Sequence, residues 1–202
     1  MAKIDLIREL KPLYAPPRSK IVTVEVPKLQ CLMIDGKGAP DGDDHAHAIE
    51  ALYTVAYTAK FTLKLGPEKT DFRVMPLETL WWADDMSAFE KGRREDWRWT
   101  ALMVVPDVVT KKVIEDAEKR AAEKKPLPEI EALRLESFNE GKAAQTLYLG
   151  PYSAEGPTIA AIHAYIAEAG GKLRGKHHEI YLSDPRRTAP DKLKTIIRQP
   201  FA

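Results

Sequence analysis

The pattern of apolar and polar residues in the first half of the chain predicts two strands, a helix and two more strands. Segments 20–27 and 30–40 are rich in β-branched and apolar residues, which favour strands, and the second segment ends in a Gly/Pro turn. Acidic residues then cap a helix, whose apolar face is formed by Ile49, Leu52, Tyr53 and Ala56. Two further strands are predicted at 71–83 and 96–106.

The second half of the chain repeats this order of elements. Strands are predicted at 130–138 and 142–152, and an acidic residue within SAEGP caps the helix that follows. One face of that helix carries Ile159, Ile162 and Ile166. The last two strands are predicted at 177–185 and 191–200. The shared order favours an internal duplication over chance similarity.

These elements predict an α+β fold in a single domain over residues 1–202. Two strand–strand–helix–strand–strand repeats, 20–105 and 130–202, form antiparallel sheets with the helices on one face. An amphipathic helix at 106–129, bounded by prolines, links the repeats, and residues 1–19 with their three prolines form a docking arm. We expect the free sheet faces to meet in a ligand cleft at the pseudo-twofold junction.

Composition narrows the class of partner. The 202 residues carry a net charge of +1, which gives no overall bias toward nucleic acid or a membrane surface. No apolar run approaches the ~18 residues of a membrane span, and the charged start MAKIDLIREL does not resemble a secretory signal. The single cysteine, Cys31, excludes a disulfide framework and fits a cytoplasmic location; its apolar surroundings predict a buried thiol.

Strand alternation indicates which side chains face the cleft. Ile180 and Leu182 share one face of their strand and are expected to pack under the helices, which leaves Glu179 and Tyr181 for the cleft. Glu78 stands at the matching place in the first repeat, so the two glutamates are predicted to be near-symmetric. Three or four of the four tryptophans are predicted to cluster on neighbouring strands, and the alternative for each of them is simple core packing.

A carboxylate beside indole rings suits two kinds of chemistry. Partial desolvation raises its pKa, so it can serve as a general acid or base near neutral pH. It can also be the counter-charge of a cationic aromatic ligand. Neither His45 with His47 nor His177 with His178 points two rings the same way, so a metal site would need a third ligand from elsewhere. No metal or cofactor is expected.

Three parts of the chain resemble the GyrI-like small-molecule-binding superfamily over about residues 20 to 201. They are HHEIYLSDPRRTAPDKLKTIIRQPF, YLGPYSAEGPTIAAIHAYI, and PLETLWW followed by DWRWTALMVVP. The PLETLWW stretch is similar to the stand-alone branch of the superfamily. The resemblance implies a duplicated fold with an aromatic-lined cleft, and a glutamate matching Glu179 that meets cationic ligands at its base.

Some stand-alone members of this superfamily are cyclopropanoid cyclopropyl hydrolases, which open the strained ring of duocarmycin- and yatakemycin-like DNA alkylators. The resemblance therefore implies a hydrolase in which Glu179 activates water and a tyrosine, Tyr53, Tyr57 or Tyr181, donates a proton. The expected ligand-binding residues are Trp81, Trp82, Trp97, Trp99, Glu78, Met103 and Tyr148. The alternative is a protein that binds or senses aromatic or cationic small molecules without turnover. Both a monomer and a homodimer fit.

Overall fold

The computed structural model describes residues 3–18, 20–67 and 69–202, and the predicted order of elements appears twice within them. The elements follow in the order β1 (Lys3–Ile4), α1 (Leu6–Glu9), α2 (Lys11–Tyr14), β2 (Val22–Val26), β3 (Leu29–Lys37), α3 (Asp43–Leu65), β4 (Asp71–Phe72), β5 (Glu78–Trp82), α4 (Ser87–Glu90), β6 (Arg98–Val104), α5 (Lys111–Lys124), β7 (Arg134–Phe138), β8 (Gly141–Leu149), α6 (Gly156–Glu168), β9 (His177–Tyr181) and β10 (Lys194–Pro200). The α+β class and the duplicated order are confirmed.

One predicted strand is divided in the structure. The segment 71–83 forms β4 and β5, and residues 73–77 between them belong to neither. Pro76 lies in this gap, and a proline has no backbone N–H to give to a strand partner. The short β4 instead pairs in parallel with β1. The prediction of one continuous strand at 71–83 was therefore wrong.

The chain divides into two compact units that each draw on both repeats. Unit 1 contains residues 1–9, 29–75 and 82–138, and unit 2 contains residues 10–28, 76–81 and 139–202. The repeats thus exchange strands: β2 of the first repeat pairs with β8 of the second, and β7 of the second pairs with β3 of the first. The predicted docking arm is divided between the two units: its described residues up to 9 belong to unit 1, and those from 10 onward belong to unit 2.

Unit 1 is built on three antiparallel strands and two helices. β3 lies between β6 and β7, and α3 packs on both β3 and β6. The indole of Trp99, on β6, lies over its cross-strand partner Gly36 and meets the ring of His45 edge-on at 4.9 Å between centroids. Trp99 is fully buried. Gly36 leaves the space that this indole occupies, because a side chain there would overlap the ring.

The predicted linking helix is shorter than the segment 106–129. Thr110 caps α5 by accepting a hydrogen bond from the backbone N–H of Val113, and the helix ends before Pro126. The helix buries Ile114, Ala117 and Ala121 and packs on α3 within unit 1. Its small buried residues allow the two helices to approach closely.

Unit 2 contains five antiparallel strands in the order β2, β8, β10, β9 and residues 78–81 of β5. α6 packs on one face, where Ile162 and Ile166 meet Ile197 of β10 and Ala144 of β8. Residues 10–14 cover the other face, where the backbone carbonyl of Leu13 accepts a hydrogen bond from the buried side chain of Arg198. Both faces of this sheet are therefore covered.

Two further observations concern the whole described chain. Within residues 3–18, 20–67 and 69–202, none of the helices combines the length and the apolar character that crossing a membrane requires. Cys31 is fully buried in β3, as its apolar surroundings predicted.

We expect Gly36→Ala to destabilise the protein, since the new Cβ would overlap an indole that is itself enclosed. Overpacking of this kind lowers the free energy of unfolding by about 1–3 kcal/mol. Gly156→Ala is the matched control, because a Cβ at that position meets no atom within 4 Å. Chemical denaturation of the three proteins gives the comparison, and equal stability of Gly36→Ala and the unaltered protein would contradict the packing described.

Candidate functional site

The register of β9 with its neighbours gathers polar side chains on the α6 face of unit 2. Glu179 lies opposite Thr79 of β5 on one side and Ile197 of β10 on the other. Because Ile197 packs against α6, Glu179 shares the face that this helix covers. We expected Ile180 to face the helices and Glu179 to face away from them. That expectation was wrong, because Glu179 lies on the face that α6 covers and Ile180 lies on the other.

Glu179 is held by hydrogen bonds at both carboxylate oxygens. The hydroxyl of Tyr181 donates to Oε2 at 2.8 Å, and Nε2 of His177 lies 3.2 Å from Oε1. All three residues are on β9, two positions apart, so alternation places them on one face. The side chain of Glu179 keeps 15% of its surface exposed, so a small molecule has access to a carboxylate that is otherwise fixed in position.

Aromatic rings surround the hydroxyl of Tyr181. The indole Nε1 of Trp81 donates to that hydroxyl at 3.2 Å. The ring of Tyr152, in a 3₁₀ turn before α6, meets the ring of Tyr181 edge-on at 5.6 Å between centroids. Trp81, the first tryptophan of the WW pair, therefore lies beside Glu179 and Tyr181.

Glu155 brings a second carboxyl group to the site. It occupies the N-cap position of α6, yet its side chain makes no capping hydrogen bond. The residue is buried, with 3% of its surface exposed, and its carboxyl hydrogen-bonds to that of Glu179. The acidic residue expected to cap the helix is thus directed into the site instead.

The two carboxyl groups differ in protonation. Burial, and then the charge of Glu179, raise the pKa of Glu155 to about 9. Burial also acts to raise the pKa of Glu179, but the hydrogen bond and charge of His177 and the hydroxyl of Tyr181 outweigh it and lower that pKa. Burial and the charge of Glu179 raise the pKa of Tyr181 well above its usual value. At neutral pH the pair therefore carries one proton, on Glu155.

A separate network of charged side chains lies on the opposite face of unit 2. Glu78 accepts a hydrogen bond from the hydroxyl of Tyr14 at 2.7 Å, and its Oε2 lies 2.9 Å from Nε2 of His178. Nδ1 of His178 lies 2.9 Å from Oε1 of Glu140, and Arg198 donates to the other oxygen of Glu140 at 3.0 Å. Glu78, Glu140, His178 and Arg198 are all buried.

Electrostatic pairing sets the protonation of this network. Burial lowers the pKa of His178, but the charge and hydrogen bond of Glu140, together with Glu78, outweigh it and raise that pKa to about 9. Burial raises the pKa of Glu140, but His178 and Arg198 outweigh it and lower that pKa to about 2. The ionised carboxylate of Glu140 thus lies buried between the cations of His178 and Arg198.

Glu78 and Glu179 are not symmetric partners. Glu78 lies opposite Ile180 in the strand register, whereas Glu179 lies opposite Thr79, so the two glutamates occupy opposite faces of the β5–β9 pair. The prediction of near-symmetric glutamates was wrong, because the matching positions in the repeats differ by one residue. A ligand-binding role for Glu78 is also contradicted by its enclosure in the buried network.

The other predicted ligand-binding tryptophans lie in unit 1. Trp99 and Met103 are fully buried and present no surface to a ligand, so the alternative of core packing applies to both. Trp97 precedes β6, packs against Phe89 in a tilted arrangement with 4.6 Å between ring centroids, and lies beneath the guanidinium of Arg94. Trp82 ends β5 on the face opposite to Trp81 and is partly exposed.

The remaining predicted residues are tyrosines. Tyr53 and Tyr57 stack on each other along α3 of unit 1, and Tyr57 is 46% exposed. A catalytic role for either stays a prediction. Tyr148 of β8 lies opposite Thr195, which in turn lies opposite Tyr181, so it shares the face of Glu179. Its hydroxyl donates to the carbonyl of Pro151 at 2.9 Å.

Three residues of the site were missing from the predicted set: His177, Tyr152 and Glu155. The spacing H-x-E-x-Y in β9 could have indicated His177, since alternate residues of a strand share a face. Tyr152 and Glu155 stand in the turn before α6, where an acidic residue is read as a cap. Within the described part of the chain, no three His, Cys, Asp or Glu side chains come together to hold a metal ion.

Comparison with known proteins gives a consistent result. A sequence profile of the GyrI-like small molecule binding domain matches residues 19–201. The chain is similar to an uncharacterized conserved protein from Listeria innocua, with 40% identity and a TM-score of 0.91 over 98% of this chain and 100% of the other. A crystal structure of a hydrolase from Listeria innocua matches with 40% identity and a TM-score of 0.86 over the same shares.

A further crystal structure of a hydrolase from Listeria innocua matches with 39% identity and a TM-score of 0.89, and it covers the whole of both chains. A comparison with curated proteins gives no match.

We expect the stability of the protein to fall as pH rises from about 6.5 to about 9. His178 has a raised pKa in the folded state, so its contribution is complete below its unfolded pKa of about 6.5 and is lost as pH passes about 9. The share of His178 in this decline should be on the order of 3 kcal/mol in the free energy of unfolding, and Glu155, whose pKa is also raised to about 9, adds to it.

Denaturation at a series of pH values measures this decline. His178→Gln should lower stability at pH 6 and make the decline shallower, because only the share of Glu155, whose pKa is also raised to about 9, then remains. His47→Gln changes an exposed histidine paired with Glu129 and should leave the whole decline in place. A flat profile for the unaltered protein across this window would contradict the charged state assigned to His178.

Proposed function

Because the chain belongs to the GyrI-like family of small-molecule-binding domains, we propose that it is a hydrolase that acts on a small aromatic molecule at the Glu179 site. The description of two proteins about 40% identical to this chain as hydrolases supports this class of reaction. The substrate we propose is a flat molecule with a cyclopropane fused to a conjugated dienone, of the duocarmycin and yatakemycin type. Opening that ring removes the electrophile and protects the cell from DNA alkylation.

The observation that carries the proposal is the state of Glu179. Its carboxylate is ionised, partly exposed and fixed by two neighbours on the same strand. A carboxylate in this state can orient a water molecule and accept its proton, which is the role of a general base. The rings of Trp81, Tyr152 and Tyr181 beside it offer flat surfaces for an aromatic ligand.

Tyr181 suits a positioning role in this reaction. Its hydroxyl already gives its proton to a hydrogen bond with Glu179, and its pKa lies well above the usual value. A group in this state holds the general base in place and stabilises its charge. It is poorly suited to release a proton to a substrate, which was one of the roles expected for a tyrosine here.

Ring strain and aromatisation drive the proposed reaction. When water attacks the cyclopropane carbon, the dienone becomes a phenol, so the enzyme must supply only a proton acceptor, a proton donor and orientation. The alternative function is binding without turnover. An anionic Glu179 beside aromatic rings also suits a cationic aromatic ligand, through charge and cation–π attraction.

We expect the protein to convert a duocarmycin analogue with an intact cyclopropane into its water adduct, detected by mass spectrometry. Glu179→Gln should lower kcat by about 10²–10⁴-fold, the usual contribution of a general base, and largely spare the binding of a neutral ligand. Glu168→Gln, an exposed change at the end of α6, is the control and should remain active. Tight binding without any adduct would favour the non-catalytic alternative.

Tyr181→Phe should shift the acidic limb of the pH–rate profile to higher pH. The hydroxyl of Tyr181 lowers the pKa of Glu179, so its removal raises that pKa and leaves less of the base ionised at a given pH. Measurement of kcat/KM from pH 4 upward gives the profile. An unmoved acidic limb would show that the rate does not depend on Glu179 in its ionised form.

A further inference from the structure

We propose that Glu155 is the proton donor of the reaction and works as a pair with Glu179. This inference rests on the proposed hydrolysis, in which water loses a proton at one end of the substrate and an oxygen gains one at the other. A ring opening of this kind needs an acid as well as a base. The residues around Glu179 contain one carboxyl group that is placed to be that acid.

The position of Glu155 is unusual for a residue at the start of a helix. A carboxylate there normally accepts hydrogen bonds from the first backbone N–H groups and is stabilised by the helix dipole. Glu155 makes no such bond, is buried, and hydrogen-bonds to Glu179 instead. The fold thus gives up a helix cap and places a second carboxyl group against the first.

Hydrogen bonding assigns the proton within the pair. Two carboxyl groups bond to each other only when one of them carries a proton, since an ionised carboxylate has no donor. Glu179 already accepts from Tyr181 and contacts His177, whereas the groups that act on Glu155 are Glu179 and the neutral hydroxyl of Thr195. The proton therefore resides on Glu155, in agreement with its raised pKa.

One oxygen of Glu155 is buried without a donor beside it. Among the residues that the structure describes, its Oε1 has no hydrogen-bond partner, although the atom is buried. A buried carboxyl oxygen that no donor contacts is costly as an anion, and protonation of the group removes much of that cost. When a substrate is bound, the proton that Glu155 directs at Glu179 can turn toward the substrate instead. The ligand atom that fits it is a carbonyl oxygen, which takes the proton when the substrate becomes a phenol.

The two glutamates can supply and accept every proton that the reaction moves. Water forms a bond to the cyclopropane carbon, the bond from that carbon to the ring breaks, and its electron pair passes through the dienone to the carbonyl oxygen. The proton of water goes to Glu179, and the proton of Glu155 goes to the carbonyl oxygen. Glu155 is then ionised and Glu179 protonated, and the hydrogen bond between them returns the proton to Glu155. One water adds to one substrate, and the protein is unchanged.

The first test measures protonation without turnover. Carbon-13 NMR of protein labelled at the glutamate carboxyl carbons should reveal a carboxyl group that stays protonated to about pH 9. Its signal should be absent in Glu155→Gln and should titrate at lower pH in Glu179→Gln, because a repelling charge is then gone. Glu168→Gln should leave it unchanged. Persistence of the signal in Glu155→Gln would overturn the assignment of the proton.

The second test measures kcat against pH with the cyclopropane analogue as substrate. Activity of the unaltered protein should fall as pH rises through about 9, where Glu155 loses its proton. Glu155→Gln should lower kcat by about 10²–10⁴-fold, change KM little and remove this basic limb. Glu155→Asp, which keeps a carboxyl group, should retain part of the activity and the limb.

Several other titratable groups near the pair could also give a basic limb. Three tyrosines have raised pKa values, about 12 for Tyr152 and raised for Tyr148 and Tyr181. The other titratable groups nearby are His177, His163 and Asp184. On the opposite face, His178 has a pKa of about 9. A basic limb that survives in Glu155→Gln would therefore arise from another group and would overturn the role of Glu155.

The outcomes separate the inference from the function on which it rests. An unaltered protein that gives no adduct contradicts the hydrolase and, with it, any donor role for Glu155. Turnover that depends on Glu179 but is unchanged in rate and pH profile by Glu155→Gln contradicts the role of Glu155 alone.

Discussion

The hydrogen-bonded register of β9 between β5 and β10 is the constraint on which the chemistry of unit 2 depends. It places Glu179 beside Thr79 and Ile197, and it places the next residues, His178 and Ile180, on the other face. A shift of one residue in this register would exchange the two faces. Glu179 would then enter the buried charge network, and His178 would enter the site.

The two faces hold their carboxyl groups in different ways. On one face, Glu140 and Glu78 are matched by His178 and Arg198, so the pKa of Glu140 is low and its proton is gone. On the other face, Glu155 has no such cation, and the nearest charge is a second carboxylate. The pair there is neutralised by a proton instead. A matched ion network holds a fold together, whereas a shared proton is available to a reaction.

Sequence periodicity predicted the class of the fold and most of its strands and helices, although the segment 71–83 forms two strands and not one. Alternation along β9 also predicted that Glu179 and Tyr181 share a face, and the two side chains lie there beside Trp81. The face of the sheet could not be predicted in the same way. Alternation identifies a covered face by its apolar residues, but here the face under residues 10–14 carries Gln145, His178 and Arg198. Their partners come from distant parts of the chain.

The contact between Glu155 and Glu179 could not be predicted from the sequence for a related reason. An acidic residue before a helix is so often a cap that its sequence position gives no sign of another use. Only the contact with Glu179, 24 positions away in the chain, shows where the carboxyl group points. Likewise, Trp99 and Met103 could not be separated from Trp81 by residue type, since an indole suits a core as well as a binding surface.

The bond between Arg198 and the carbonyl of Leu13 joins residues 185 positions apart, and it bears on how the protein is made. Residues 10–14 are synthesised long before β10, so the carbonyl of Leu13 cannot bond to Arg198 until that strand has been added. Contacts between such distant residues form slowly, because a long loop must close first. Neither face of the unit 2 sheet is therefore complete before β10 joins it, since this strand carries Arg198 of the buried network and, on the other face, Ile197 beside Glu179.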